Sequence, residues 1–80
     1  MDEETFQLHI NAGLKAGLDK TCGKKIAYPT EDSARRAADE MNAKPTTVKM
    51  LEAYPCAFCD KWHVGRMMSP EELRSYVKQS

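Results

Sequence analysis

The sequence predicts a small α+β domain: a β-hairpin packed on an alanine-rich helix, with a further helix at the C-terminus. Three observations lead there. Two runs with strand character, 46–54 and 62–67, flank the tight turn Cys56-Ala57-Phe58-Cys59-Asp60-Lys61. Residues 31–43 place Ala34, Ala37, Ala38 and Met41 at i, i+3, i+4, i+7 spacing, the stripe of a helix that buries one side. Ser69-Pro70-Glu71-Glu72 is a capping box with proline at the first helical position.

In chain order, residues 1–20 come first. Phe6, Ile10, Leu14 and Leu18 recur every four residues, which suits one helical face. Phe6, Leu8 and Ile10 also alternate with polar residues, as a short strand would. Helix is the favoured reading, although Gly13 and Gly17 each weaken it by about 1 kcal/mol relative to alanine. Thr21-Cys22-Gly23-Lys24 reads as a turn, and 25–28 as a short strand ended by Pro29. Thr30 can cap the helix over 31–43, with Glu31 and Asp32 in its first turn and Pro45 beyond its end. Pro55 ends the first hairpin strand. Met68 and Leu73 stand at the staple positions of the helix over 70–78. No repeat or long linker divides the chain. Residues 1–20 are expected as an N-terminal extension, 21–66 as the core, and 67–80 as the capped C-terminal helix.

Length and charge exclude several functions. Eighty residues allow one domain, not a barrel or a dinucleotide fold with a separate substrate domain. A chain of this size buries only about 60% of its unfolded surface, so a thin core usually needs a staple. Twelve Lys+Arg balance twelve Asp+Glu, against the strong basicity of a sequence-independent nucleic-acid binder. The balance is uneven along the chain. Residues 1–19 carry −3 (one Lys against four acids), and residues 20–50 carry +3 (seven Lys/Arg against four acids). No apolar run is long enough to span a membrane, and the acidic N-terminus lacks a signal-peptide pattern, so a cytoplasmic location is expected. Three cysteines are an odd number for a disulfide framework, and cytosolic thiols stay reduced. A metal is the better staple.

Cys56-x2-Cys59-x3-His63 carries the metal chemistry. Two cysteines three apart at a hairpin tip can direct both sulfurs at one ion, and His63 lies on the returning strand within reach of it. Cys22, in another turn, completes a Cys3His set, the soft tetrahedral environment that suits Zn2+. The place three after Cys22 is Lys25 rather than a second cysteine, so His9, Asp60 or water compete for the fourth position. A redox C-x2-C normally opens a helix in a thioredoxin-like fold, whereas this one lies between strands. Zinc with four protein ligands is structural, because no position remains open for water. Its charge with three thiolates adds −1 to a neutral chain, and Lys24, Lys25 and Lys61 stand near the ligands in sequence.

Other residues have two readings each. Trp62 can stack on a base, although core packing is its more ordinary role. Lys24, Lys25, Arg35, Arg36, Lys61 and Arg66 can face a phosphate or a partner; the plain alternative is a solvated surface. Met67, Met68, Leu73 and Tyr76 can give apolar contact to a protein. Paired carboxylates, a phosphate-binding glycine loop and a Ser/His/Asp set are not visible, so no catalytic residue and no small-molecule substrate are expected.

Thr21-Cys22-Gly23-Lys24-Lys25-x2-Tyr28, the alanine-rich helix, and Tyr54-Pro55-Cys56-x2-Cys59-x2-Trp62-His63-Val64-Gly65 together resemble a group of short Cys3His zinc-finger, zinc-ribbon-like proteins of bacteriophages, notably actinobacteriophages, and their hosts. The resemblance covers roughly residues 21–66. It implies that Cys22, Cys56, Cys59 and His63 are the ligands of one structural zinc, carried on a hairpin knuckle packed on the alanine-rich helix. Asp60 departs from it, standing where glycine commonly follows the second cysteine, as do the flanking segments 1–20 and 67–80. The expected role is a non-catalytic module that docks on a host protein in the bacterial cytoplasm. The alternative is a nucleic-acid-binding finger using the 20–50 segment and Trp62.

Overall fold

Asp2 accepts a hydrogen bond from the Thr5 N–H at 2.7 Å and starts the first helix, α1 (Glu3–Ala16), with Glu3 and Glu4 in its first turn. The computed structural model describes residues 1–23, 25–45 and 50–78. At Gly17 the backbone turns to φ 94°, a conformation that favours glycine, and a single helical turn, α2 (Leu18–Thr21), follows. The strand reading of this segment is thereby set aside.

The face that α1 buries differs from the sequence expectation. Its buried residues are His9, Ala12 and Gly13, whereas Phe6 is 39% and Leu14 58% exposed. Leu18, in α2, is exposed as well. Close approach explains the choice. A Cβ on Gly13 would stand 3.1 Å from Thr21 Cγ2 and 3.6 Å from the Ala57 Cβ, so only the small-residue face fits there.

The third helix, α3 (Glu31–Asn42), follows its sequence code. Thr30 Oγ1 accepts from the Ser33 N–H at 3.1 Å, and Ser33 Oγ accepts from the Thr30 N–H at 3.2 Å, a reciprocal capping box. Ala34 and Ala38 are buried almost completely, and their small side chains bring α3 close against both strands of the hairpin.

Strands β1 (Leu51–Pro55) and β2 (Trp62–Arg66) pair antiparallel, with Tyr54 opposite His63 and Pro55 opposite Trp62. Thr46, Thr47 and Val48 of the expected first strand lie outside the described residues. The strand expected over 25–28 is reduced to one bridge, Tyr28 with Trp62, closed by N–H···O bonds of 2.7 and 2.9 Å. Pro29 has no N–H with which to continue that ladder. Asn42 secures the start of β1: its side chain accepts from the Leu51 N–H at 2.8 Å and donates to the Leu51 carbonyl at 2.9 Å.

The last helix, α4 (Pro70–Lys78), carries the cap read from sequence. Ser69 Oγ accepts from the Glu72 N–H, and Glu72 Oε1 from the Ser69 N–H, both at 3.2 Å. It packs against α1, and Arg74 pairs with Glu4 across the contact. Leu73 and His63 are the largest fully buried side chains among the described residues.

Candidate metal centre

Three separate pieces of chain meet at one point. Cys22 lies at the C-terminal end of α2, Cys56 and Cys59 lie in the turn between the strands, and His63 is the second residue of β2. Their ligand atoms all lie within 4.8 Å of one another, and Cys59 Sγ is 3.4 Å from His63 Nε2. Tetrahedral zinc with bonds of about 2.3 Å to sulfur and 2.0–2.1 Å to nitrogen would need a sulfur–nitrogen edge of about 3.6 Å. The three thiols are free of disulfides. The four residues can together bind one metal ion.

The turn is built for this convergence. The Cys56 N–H donates to the Lys61 carbonyl at 2.8 Å and closes the loop. The Phe58 N–H points at Cys56 Sγ, 3.4 Å away. Asp60 takes φ 62°, in the left-handed region that favours glycine. On the opposite side, Tyr54 donates its hydroxyl to the Thr21 carbonyl at 2.7 Å and ties β1 to the segment that carries Cys22.

His63 is 0% exposed, and its ring is oriented from behind. Nδ1 lies 2.7 Å from the Ile26 carbonyl oxygen, which accepts its proton and leaves the Nε2 lone pair facing the sulfurs. A backbone carbonyl that holds a histidine in this tautomer is a typical outer partner of a metal ligand.

The electrostatics also favour a cation. Burial works against ionisation of Cys56, but the N–H groups of Phe58 and Cys59, together with hydrogen bonds from the Cys59 and His63 side chains, outweigh it and bring its pKa down to about 7. Cys22 moves the other way, up to about 11, first through its interaction with Cys59 and then through desolvation and Cys56. Three thiolates so close together repel, and a divalent ion removes that conflict. Tyr54 is pushed up to about 12, by burial first and then by the thiols, and remains a neutral donor. Lys25 Nζ lies 5.3 Å from the centre of the Tyr54 ring, and Gly65 leaves room for that ring, since a Cβ there would stand 2.9 Å from Tyr54 Cε1.

Two of the remaining cationic candidates are already paired with carboxylates. Arg35 pairs with Glu31 at 2.8 Å and Arg66 with Glu72 at 3.5 Å. Lys25, Arg36 and Lys61 are exposed, and Lys24 lies outside the described residues. Trp62 is half-buried, its ring edge-on to Phe6 at 6.0 Å. Met67 is exposed, and Met68 and Tyr76 are half-buried. Leu73 is a correction: at 1% exposure it belongs to the core, because α4 turns that side inward, and it offers no contact to a partner.

His9, a competitor for the fourth ligand position by sequence, stands apart from the cluster. It is buried, stacked on Tyr54 at 6.1 Å, with Nε2 3.7 Å from Glu52 Oε2. Sequence reasoning missed the Ile26 carbonyl and the Asn42 side chain. A backbone acceptor has no residue-type signal, and an asparagine at a helix end reads as an ordinary stop.

Fold and site together define a small α+β domain with a clustered Cys3His set. The chain matches no family model, no curated protein and no solved structure.

Proposed function

We propose that the protein is a small zinc-binding module whose metal holds the fold together and whose work is to dock on another protein. The observation that carries this reading is the convergence of Cys22, Cys56, Cys59 and His63 within 4.8 Å, with His63 oriented by Ile26. Three soft sulfurs and one imidazole favour zinc over harder ions. Four protein donors complete a tetrahedron, which suits a structural ion rather than a catalytic one. A protein partner is favoured over nucleic acid by the neutral chain and by the carboxylates already paired with Arg35 and Arg66. No described helix is long and apolar enough to cross a membrane. A phage or host origin, and a place in the bacterial cytoplasm, rest on the sequence resemblance.

Elemental analysis of the purified chain tests the metal, with one zinc per chain expected and loss of it in Cys59→Ser. Mobility shifts with short DNA and RNA at low and moderate salt test the partner class. Salt-sensitive binding there overturns the protein-docking reading in favour of nucleic acid.

A further inference from the structure

A cleft of about 260 Å³ lies between α1, α2, the hairpin and α4, and none of the four metal ligands lines it. Small residues of α1, Ala12, Gly13 and Ala16, border it without filling it. Gly65 of β2 borders it too, where a Cβ would stand 2.9 Å from Tyr54 Cε1 and 3.4 Å from Lys25 Nζ. Tyr54, Met68, Leu73 and Tyr76 add apolar surface. Lys15 donates to the Tyr76 carbonyl and lies 4.9 Å from the centre of its ring, which fixes that side. An apolar cavity of about 150 Å³ is enough to take up benzene, so this cleft has room for one aromatic ring and a substituent.

The charged side chains that line the cleft are all cationic. Lys20 comes from α2, Lys25 from the segment after Cys22, and Arg66 from the end of β2, three separate pieces of a chain with no net charge. Among the described residues no carboxylate lines it. The nearby acids stand outside: Asp19 precedes Lys20, Glu72 meets Arg66 at 3.5 Å between two exposed side chains, and Glu52 approaches His9. His9 is a second, independent sign. It is 7% exposed and lines the cleft, and its buried Nε2 has no hydrogen-bond partner among the described residues, with Glu52 Oε2 still 3.7 Å away. Buried polar atoms are almost always paired, so an unpaired one beside a cavity marks a place for a ligand or its water.

We propose that this cleft binds a small aromatic carboxylate, with its ring among Ala16, Tyr54, Leu73 and Tyr76 and its acid group facing Lys20, Lys25 and Arg66. Small-molecule pockets combine an apolar lining with a few convergent polar groups in this way. Two tyrosine rings favour an aromatic body over an aliphatic one, and a planar carboxylate matches the fork of Arg66. The site is separate from the metal centre and does not depend on the docking role.

The test is an amide NMR titration of the full, metal-loaded chain with phenylacetate as the probe. Acetate carries the charge without the ring, and 2-phenylethanol the ring without the charge. Phenylacetate is expected to shift the amides of Gly13, Ala16, Gly65 and Tyr76 saturably, at millimolar concentration or below, and both controls to bind more weakly. Lys20→Gln combined with Arg66→Gln, both at exposed side chains, is expected to weaken binding about tenfold, because charge-assisted bonds to a carboxylate are the strong ones. Ala16→Leu is expected to fill the cleft and abolish the saturable shifts, with metal content and circular dichroism unchanged. Absence of saturable shifts at these amides with phenylacetate overturns the inference, as does a double variant that binds like the wild type. Equal binding of 2-phenylethanol overturns the assignment of the acid group, and equal binding of acetate that of the ring. A peptide of alternating Phe and Asp that shifts these amides where phenylacetate does not overturns the inference in favour of a protein partner.

Discussion

Replacing Cys59 by serine, or removing the metal with a chelator, is expected to unfold the whole domain. The size of the effect follows from the core. The buried apolar residues among those described are Ala12, Ala34, Ala38, Cys56 and Leu73, so Leu73 is the one large aliphatic side chain in that set. Full burial of a leucine contributes about 1.5–3 kcal/mol, and an alanine has far less area to contribute. At about 0.05–0.15 kcal/mol per residue, a folded chain of this length has a total stability of about 4–12 kcal/mol. Structural zinc in finger peptides contributes an apparent 10–16 kcal/mol, as much as that total or more. Far-UV circular dichroism with thermal melting in chelator reads the result. Both the chelated wild type and Cys59→Ser should lose helical signal and the cooperative transition. Leu73→Ala provides the scale: it should cost about 2–5 kcal/mol, lower the melting temperature and keep the metal. A chelated chain that melts cooperatively within a few degrees of the metal-loaded one would refute the reasoning.

Three further outcomes follow from single side chains. Asp60→Gly should stabilise the metal-loaded protein by about 0.5–1 kcal/mol in urea denaturation, because φ 62° costs an aspartate what it does not cost a glycine. Asn42→Ala should destabilise it by about 1–3 kcal/mol, the net worth of two hydrogen bonds to Leu51, with metal content unchanged. Burial lowers the pKa of His9 below the ordinary 6.5, and Glu52 offsets this only in part. The unfolded chain therefore takes up a proton near pH 6.5 while the native histidine stays neutral, and stability is lost as pH falls below that value. His9→Leu should remove this part of the loss, so its stability, measured by denaturation on both sides of pH 6.5, should fall less steeply than that of the wild type.

Local codes and their limits explain what could be read early. The caps at Thr30 and Ser69 involve residues three apart, so the sequence alone located α3 and α4 within a residue or so. The hairpin was legible because a short turn between two apolar runs leaves few other arrangements. Cys56, Cys59 and His63 are near neighbours in the chain, and their spacing constrains them before any packing occurs. The orientation of α1 was not legible. Its periodic large residues marked a face, but nothing in the periodicity says whether that face or the one with His9, Ala12 and Gly13 meets the hairpin.

The sequence by itself determined the boundaries of α3 and α4, the hairpin turn and the three local donors, because each depends on residues a few positions apart. Only the tertiary structure brought Cys22 to them across more than thirty residues, held there by the bond from Tyr54 to Thr21. Only it set the Ile26 carbonyl behind His63, and only it turned Phe6 and Leu14 outward. Those outcomes depend on how closely α1, α3 and the hairpin can approach one another. Side-chain volume decides that approach, and the small residues Gly13, Ala34, Ala38 and Gly65 allow it.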